Sequence, residues 1–207
     1  MATPPPERRF KNPAVFVCDI QEKFRPAIFE FDKVVLTTTK LLRAASALQI
    51  PSYVTTQNRA RLGDTVAELQ PLLGPAVATA DKTRFSMWIP PISTAAQFAS
   101  GPAEVALVGI ESHICVAQTA LDLLAAGHRV YILADGVSSV NRDEIPVALA
   151  RLRVAGATIT TSESWIYECM GDAAVPEFKA IVALVKDTGP DTKAALQGLL
   201  GTPVSKM

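Results

Sequence analysis

Three residues of the 207-residue chain suit one another chemically: an acid, a base and a thiol, at Asp19, Lys82 and Cys115. A cysteine in the first turn of a helix meets unpaired N–H groups and the positive end of the helix dipole, which favour its thiolate. A nearby ammonium favours that thiolate further, and a carboxylate close to both can take the thiol proton. The glycine-containing turn ahead of the cysteine, Gly109-Ile110-Glu111-Ser112-His113-Ile114, offers backbone N–H donors to a developing oxyanion. Each residue also has a structural reading: Cys115 as a small buried hydrophobe, Asp19 as a turn or helix cap, and Lys82 as a solvated loop cation. His113 stands two residues before Cys115, and such neighbours do not face each other on a helix. Cys18, inside a strand, and Cys169, late in a helix, read as core, and His128, after a helix-ending glycine, reads as surface.

The elements that must position these residues alternate along the chain. Strands are expected at 14–18, 52–56, 76–79, 104–110, 129–134 and 157–161, the fourth (EVALVGI) being the clearest apolar run. Helices are expected at 32–48, 65–72, 92–99, 114–126, 143–155, 163–170 and 176–186, with Gly127 and Gly156 closing two of them. Strand and helix repeated in this way mean a three-layer α/β/α sandwich around a six-stranded parallel sheet, in the Rossmann-like order 3-2-1-4-5-6. The expected organisation is an N-terminal arm at 1–12, one domain at 13–188 and a weakly patterned, loosely docked tail at 189–207. Ligands of such sheets bind beyond the carboxyl ends of the strands. Asp19 is expected just after the first strand, Lys82 after the third, Cys115 after the fourth and Asp135 after the fifth. Phe24, Phe85 and Trp88 flank this rim and could sandwich a planar substrate or simply roof the core.

Composition bounds the function. Lys plus Arg equals Asp plus Glu at 20 each, so the formal net charge is zero, which argues against nucleic acid or an anionic membrane as partner. Apolar residues make up 49% and no run of about 18 of them occurs, so a globular chain without a membrane span is expected. Three unclustered cysteines and two histidines make neither a disulfide framework nor a zinc site. The opening MATPPPERRF lacks the apolar middle of a secretory signal. A cytoplasmic protein is expected, with a peroxisomal alternative through the terminal Ser205-Lys206-Met207, one residue from a Ser-Lys-Leu address. Dinucleotide, Walker and Gly-x-Ser-x-Gly signatures are absent from the sequence.

The motifs resemble those of the isochorismatase-like cysteine hydrolase family. Asp19, Gln21 and Phe24 meet its Asp-x-Gln-x-x-Phe; Lys82, Phe85 and Ser86 meet its Lys-x-x-Tyr/Phe-Ser; Gly109, Cys115, Val116 and Thr119 meet its Gly-x5-Cys-Val-x-x-Thr. The run from Glu111 to Cys115 with Gln118-Thr119 is most similar to the eukaryotic isochorismatase domain-containing proteins, whose substrate is undefined. The resemblance implies a catalytic triad of Asp19, Lys82 and Cys115, with the N–H groups of Glu111 and Cys115 as oxyanion hole and a cis peptide at Ile110–Glu111. Phe24, Phe85, Trp88 and Gln118 are the candidate residues around a small-molecule substrate, and the resemblance further implies a homodimer or larger homo-oligomer. Nicotinamidases of the family hold a metal through histidines after the second strand. Here that stretch reads Thr56 to Gly63 without histidine or carboxylate, so no metal and no cofactor are expected. Isochorismatases proper lack the cysteine and cleave an enol ether, whereas this chain keeps Cys115. The expected activity is hydrolysis of an amide or carbamoyl-type C–N bond through a thioester; the alternative is a non-catalytic binding or scaffold protein that keeps the hydrolase fold.

Overall fold

The computed structural model describes residues 8–74 and 77–201. Six strands, β1 (Pro13–Cys18), β2 (Ser52–Gln57), β3 (Val77–Lys82), β4 (Glu104–Ile110), β5 (Arg129–Ser138) and β6 (Thr158–Thr160), form one sheet in the order β3-β2-β1-β4-β5-β6. Every neighbouring pair is parallel. The helices are α1 (Phe31–Ala47), α2 (Arg59–Leu62), α3 (Pro90–Ser93), α4 (Ala96–Ala99), α5 (Cys115–Ala125), α6 (Glu144–Val154), α7 (Ser162–Met170), α8 (Phe178–Asp187) and α9 (Gly189–Ala195).

The two-residue period of the central strands builds both cores. On β1, Val15 and Val17 face one cluster while Ala14, Phe16 and Cys18 face the other; on β4, Ala106, Val108 and Ile110 oppose Val105 and Leu107. Residues of α1, α7 and α8 cover the first face, and residues of α3 to α6 the second. The three-layer sandwich expected from the alternation is the one observed.

Several local expectations are corrected. The described part of the tail, residues 189–201, does not hang loose: α9 packs against α1, Ala195 and Leu199 are buried, and the Lys40 ammonium donates to Thr192 Oγ1 at 2.9 Å. Pro190 opens α9, where its missing N–H costs nothing. Nor are residues 8–12 a free arm. Phe10 is buried against Tyr131 with ring centroids 5.1 Å apart, and Arg8 pairs with Glu177 at 2.8 Å. The helix expected at 65–72 is a lone bridge from Thr65 to Gln21 and a 3-10 turn at Gln70–Leu72, and that at 92–99 splits in two. β5 runs on past a register shift to Ser138, so Asp135 lies within the strand, where both its oxygens accept from Ser162 at the start of α7, at 2.7 and 2.6 Å. The terminal Ser205-Lys206-Met207 lies outside the described residues.

His128 is also corrected, from surface to core. It is buried ahead of β5, in edge-on contact with Trp88 and Phe98, and its Nδ1 accepts the Ala103 N–H at 3.0 Å. That bond places the ring proton on Nε2, and burial lowers the ring's pKa. The unfolded chain therefore takes up a proton that the folded one refuses. This contribution to stability is complete above the unfolded value of about 6.5 and is lost as pH falls through the depressed folded value. Urea midpoints should fall from pH 7.5 to pH 5.5. The substitution His128→Asn, whose amide oxygen can still accept from Ala103 but does not titrate, should flatten that slope.

Candidate functional site

The strand order reverses between β1 and β4, and the site is built around that crevice. Asp19 follows β1 directly, is 1% exposed, and adopts φ 56. Glu111, directly after β4 and one residue further along by register, adopts φ 58. Two non-glycine residues in the left-handed region side by side are costly, at about 1–3 kcal/mol each, and such strain gathers at functional sites. Gly109 stands between the two strands at φ +133, where a Cβ would lie 2.2 Å from the Cys18 carbonyl oxygen and 2.7 Å from the Cys18 Cβ. Only glycine lets β4 approach β1 so closely at that point.

Lys82 arrives from the sheet margin. Two strand spacings, about 10 Å, separate β3 from β1, and a lysine stem is long enough to cross over β2. The side chain is 1% exposed and its Nζ donates to Asp19 Oδ2 at 2.6 Å. Gln57 Oε1 at 2.7 Å and the carbonyls of Phe85 and Arg84 at 3.0 and 3.1 Å complete the surroundings of the ammonium. The other Asp19 oxygen accepts from Thr55 Oγ1 at 2.7 Å. Burial works against the ammonium, but the negative groups facing it outweigh that, and Lys82 is held above the ordinary lysine pKa.

Cys115 is the first residue of α5, where an N–H has no carbonyl one turn back. The preceding loop is pinned by buried Ser112, whose N–H donates to Ser138 O and Ser139 Oγ, both at 2.9 Å. Thr119 Oγ1 donates to the Cys115 carbonyl at 2.6 Å and accepts the Met87 N–H at 2.9 Å, which ties α5 to the Lys82 loop. Cys115 lies within electrostatic reach of Lys82 and shares with Cys18 the core cluster on the α5 face. Cys18 Sγ also lies 3.5 Å from Asp19 Oδ2. Burial, then the contact with Cys115 and the Asp19 charge, push the Cys18 thiol well above its ordinary pKa. Asp19, Lys82 and Cys115 are thus gathered at one crevice.

Other expectations fare differently. Ile110–Glu111 is a trans peptide, so the expected cis bond is not present; Gly109 and Glu111 turn the chain by positive φ instead. The Glu111 carbonyl accepts the N–H groups of Ile114 and Val116 at 2.9 and 3.2 Å. Burial raises the pKa of its carboxyl. Gln118 is exposed one turn after Cys115, and Phe85 is 50% exposed at the rim. Phe24 packs on the α1 face instead of the α5 face. Trp88 leaves the rim: its ring stands 5.0 Å from Phe98 and 5.0 Å from His128, the latter at the amino end of the sheet, so it roofs the core. The sequence reading passed over Thr55, Gln57 and the placement of Cys18. The visible signal was the polar Thr-Thr-Gln ending of a strand otherwise fit for burial.

The isochorismatase-domain family model matches residues 13–164. The chain is 42% identical over 176 residues to the secreted isochorismatase effector Isc1 of Phytophthora sojae, covering 84% of each. It is 40% identical over 182 residues to isochorismatase domain-containing protein 2 of Danio rerio, covering 88% of this chain and 91% of that one. Among solved structures, the MAR1 ribonuclease of Caenorhabditis elegans superposes with a TM-score of 0.83 at 40% identity, covering 95% of this chain and 97% of that one.

Removing one member of a buried ion pair strands the other. Lys82→Met should cost about 3–5 kcal/mol in chemical denaturation, and Asp19→Asn combined with Lys82→Met should recover much of that loss.

Proposed function

Because the chain belongs to the isochorismatase family, we propose that this hydrolase cleaves an amide or carbamoyl-type C–N bond of a small molecule through a thioester on Cys115. The observation that carries this reading is the fully buried Lys82–Asp19 pair, 2.6 Å apart, beside a cysteine at a helix start. Burying two charges is expensive and hydrophobic replacement often stabilises, so such a pair points to chemistry more than to stability.

Asp19 takes the Cys115 proton and the sulfur attacks the carbonyl carbon. The oxyanion is met by the N–H groups of Glu111 and Cys115. Asp19 returns the proton to the departing amine, the C–N bond breaks, and a water deprotonated by Asp19 hydrolyses the thioester. Lys82 acts as a fixed charge, since its donors are already taken by Asp19, Gln57 and main-chain carbonyls. Gln118 and Phe85 are the side chains best placed to touch substrate. The buried pairing of Asp19 with Lys82 favours an enzyme over a scaffold protein, in which apolar residues would fill the same space at lower cost.

For assembly we propose a homodimer or larger homo-oligomer, supported by Val147 and Val154, which lie exposed on one side of α6. No helix among the described residues is long and apolar enough to cross a membrane. The proposed compartment is the cytoplasm, with the peroxisome as alternative.

Iodoacetamide at neutral pH should alkylate Cys115 ahead of Cys18 and Cys169; alkylation no faster than that of free cysteine would remove the activated thiolate. A screen of small amides, carbamoyl compounds and lactams should find turnover that Cys115→Ala abolishes. RNA belongs in the same screen because the nematode neighbour is described as a ribonuclease. RNA cleavage that survives Cys115→Ala would overturn the thioester reading.

A further inference from the structure

Cys18 has no part in the hydrolysis, yet its buried sulfur lies directly against the residues that carry it out. It closes β1, it is fully buried, and its side chain shares one packed cluster with Cys115 on the α5 face. Its sulfur sits 3.5 Å from Asp19 Oδ2, and Gly109 keeps the strand that leads to Cys115 pressed onto it. Cys169, the third thiol, is carried by α7 in the opposite core cluster and can meet neither.

We propose that Cys18 is a resolving cysteine: when hydrogen peroxide oxidises Cys115, Cys18 captures the product as an intramolecular disulfide and protects the nucleophile from irreversible loss. The inference rests on the nucleophilic Cys115 of the preceding reading. In the first step the Cys115 thiolate attacks one peroxide oxygen, the O–O bond breaks, and hydroxide leaves; the sulfur becomes a sulfenic acid. In the second, the Cys18 thiol gives its proton to Asp19 and its sulfur attacks the Cys115 sulfur. The S–O bond breaks, the S–S bond forms, and the departing hydroxide collects the proton as water. Two thiols are oxidised and one peroxide is reduced to two waters. Burial disfavours a free Cys18 thiolate, so the adjacent carboxylate is what makes the second step possible. The same carboxylate then serves hydrolysis and rescue.

The test uses the full chain, reduced, exposed to hydrogen peroxide, then trapped with iodoacetamide in denaturant and mapped by peptide mass spectrometry under non-reducing conditions. A Cys18–Cys115 disulfide is expected, with Cys169 still alkylated. Dithiothreitol should return about nine-tenths of Cys115 alkylation in the wild type but under about a tenth in Cys18→Ala, where sulfinic and sulfonic acids accumulate. The disulfide map of the wild type needs no variant, so a poorly folded Cys18→Ala does not blunt the test. If Cys115 is readily alkylated before peroxide yet passes to sulfinic acid without a disulfide, the resolving role alone is overturned. If Cys115 resists iodoacetamide from the outset, the nucleophile reading falls, and this inference with it.

Discussion

The ion pair between Lys82 and Asp19 is the constraint around which the rest of the site is arranged. Two opposite charges removed from water need every remaining hydrogen-bond valence filled, or the desolvation cost unfolds the region. Thr55 and Gln57 at the end of β2 and the carbonyls of Arg84 and Phe85 after β3 fill those valences. The polar endings of β2 and the bend after β3 are therefore explained by a charge that neither of them carries.

The same demand accounts for backbone that would otherwise look wasteful. Asp19 in the left-handed region turns its carboxylate off the end of β1 toward the lysine, and Glu111 makes the equivalent turn after β4. Between them Gly109 permits a separation that no side chain could tolerate. On the far side, Ser112 anchors the loop to β5 and Thr119 links α5 to Met87, so the cysteine's helix start is held from two directions. The thiol is placed by a rigid frame, which is what a group reacting at a fixed angle requires.

Much of this was legible in the residues. The apolar runs PAVFVC and EVALVGI announce central parallel strands, and the alternation of elements announces the sandwich. The acid, base and thiol stand out because each falls where a parallel strand ends. What stayed hidden depends on contacts between distant segments. Trp88 lies close to Lys82 in sequence, yet the chain descends along α5 and delivers its ring to His128 at the opposite end of the sheet. His128 looks like a solvated loop residue until Ala103 is seen to donate to it. Cys18 reads as one more core side chain, because strand periodicity says which face it takes but not which thiol waits there.

The outermost position of β3 has a consequence of its own. Along its length this strand is open to solvent until Lys82, its last and only fully enclosed residue. Margins of sheets are the parts that fray first, whereas the carboxylate waits at the innermost strand. A brief peeling of the border would withdraw the positive charge without disturbing the centre, leaving sulfur and acid in place but electrically uncoupled. On the proposed reading, reactivity is then tied to the local opening equilibrium of this edge strand, and whatever clamps it also holds the thiol ready.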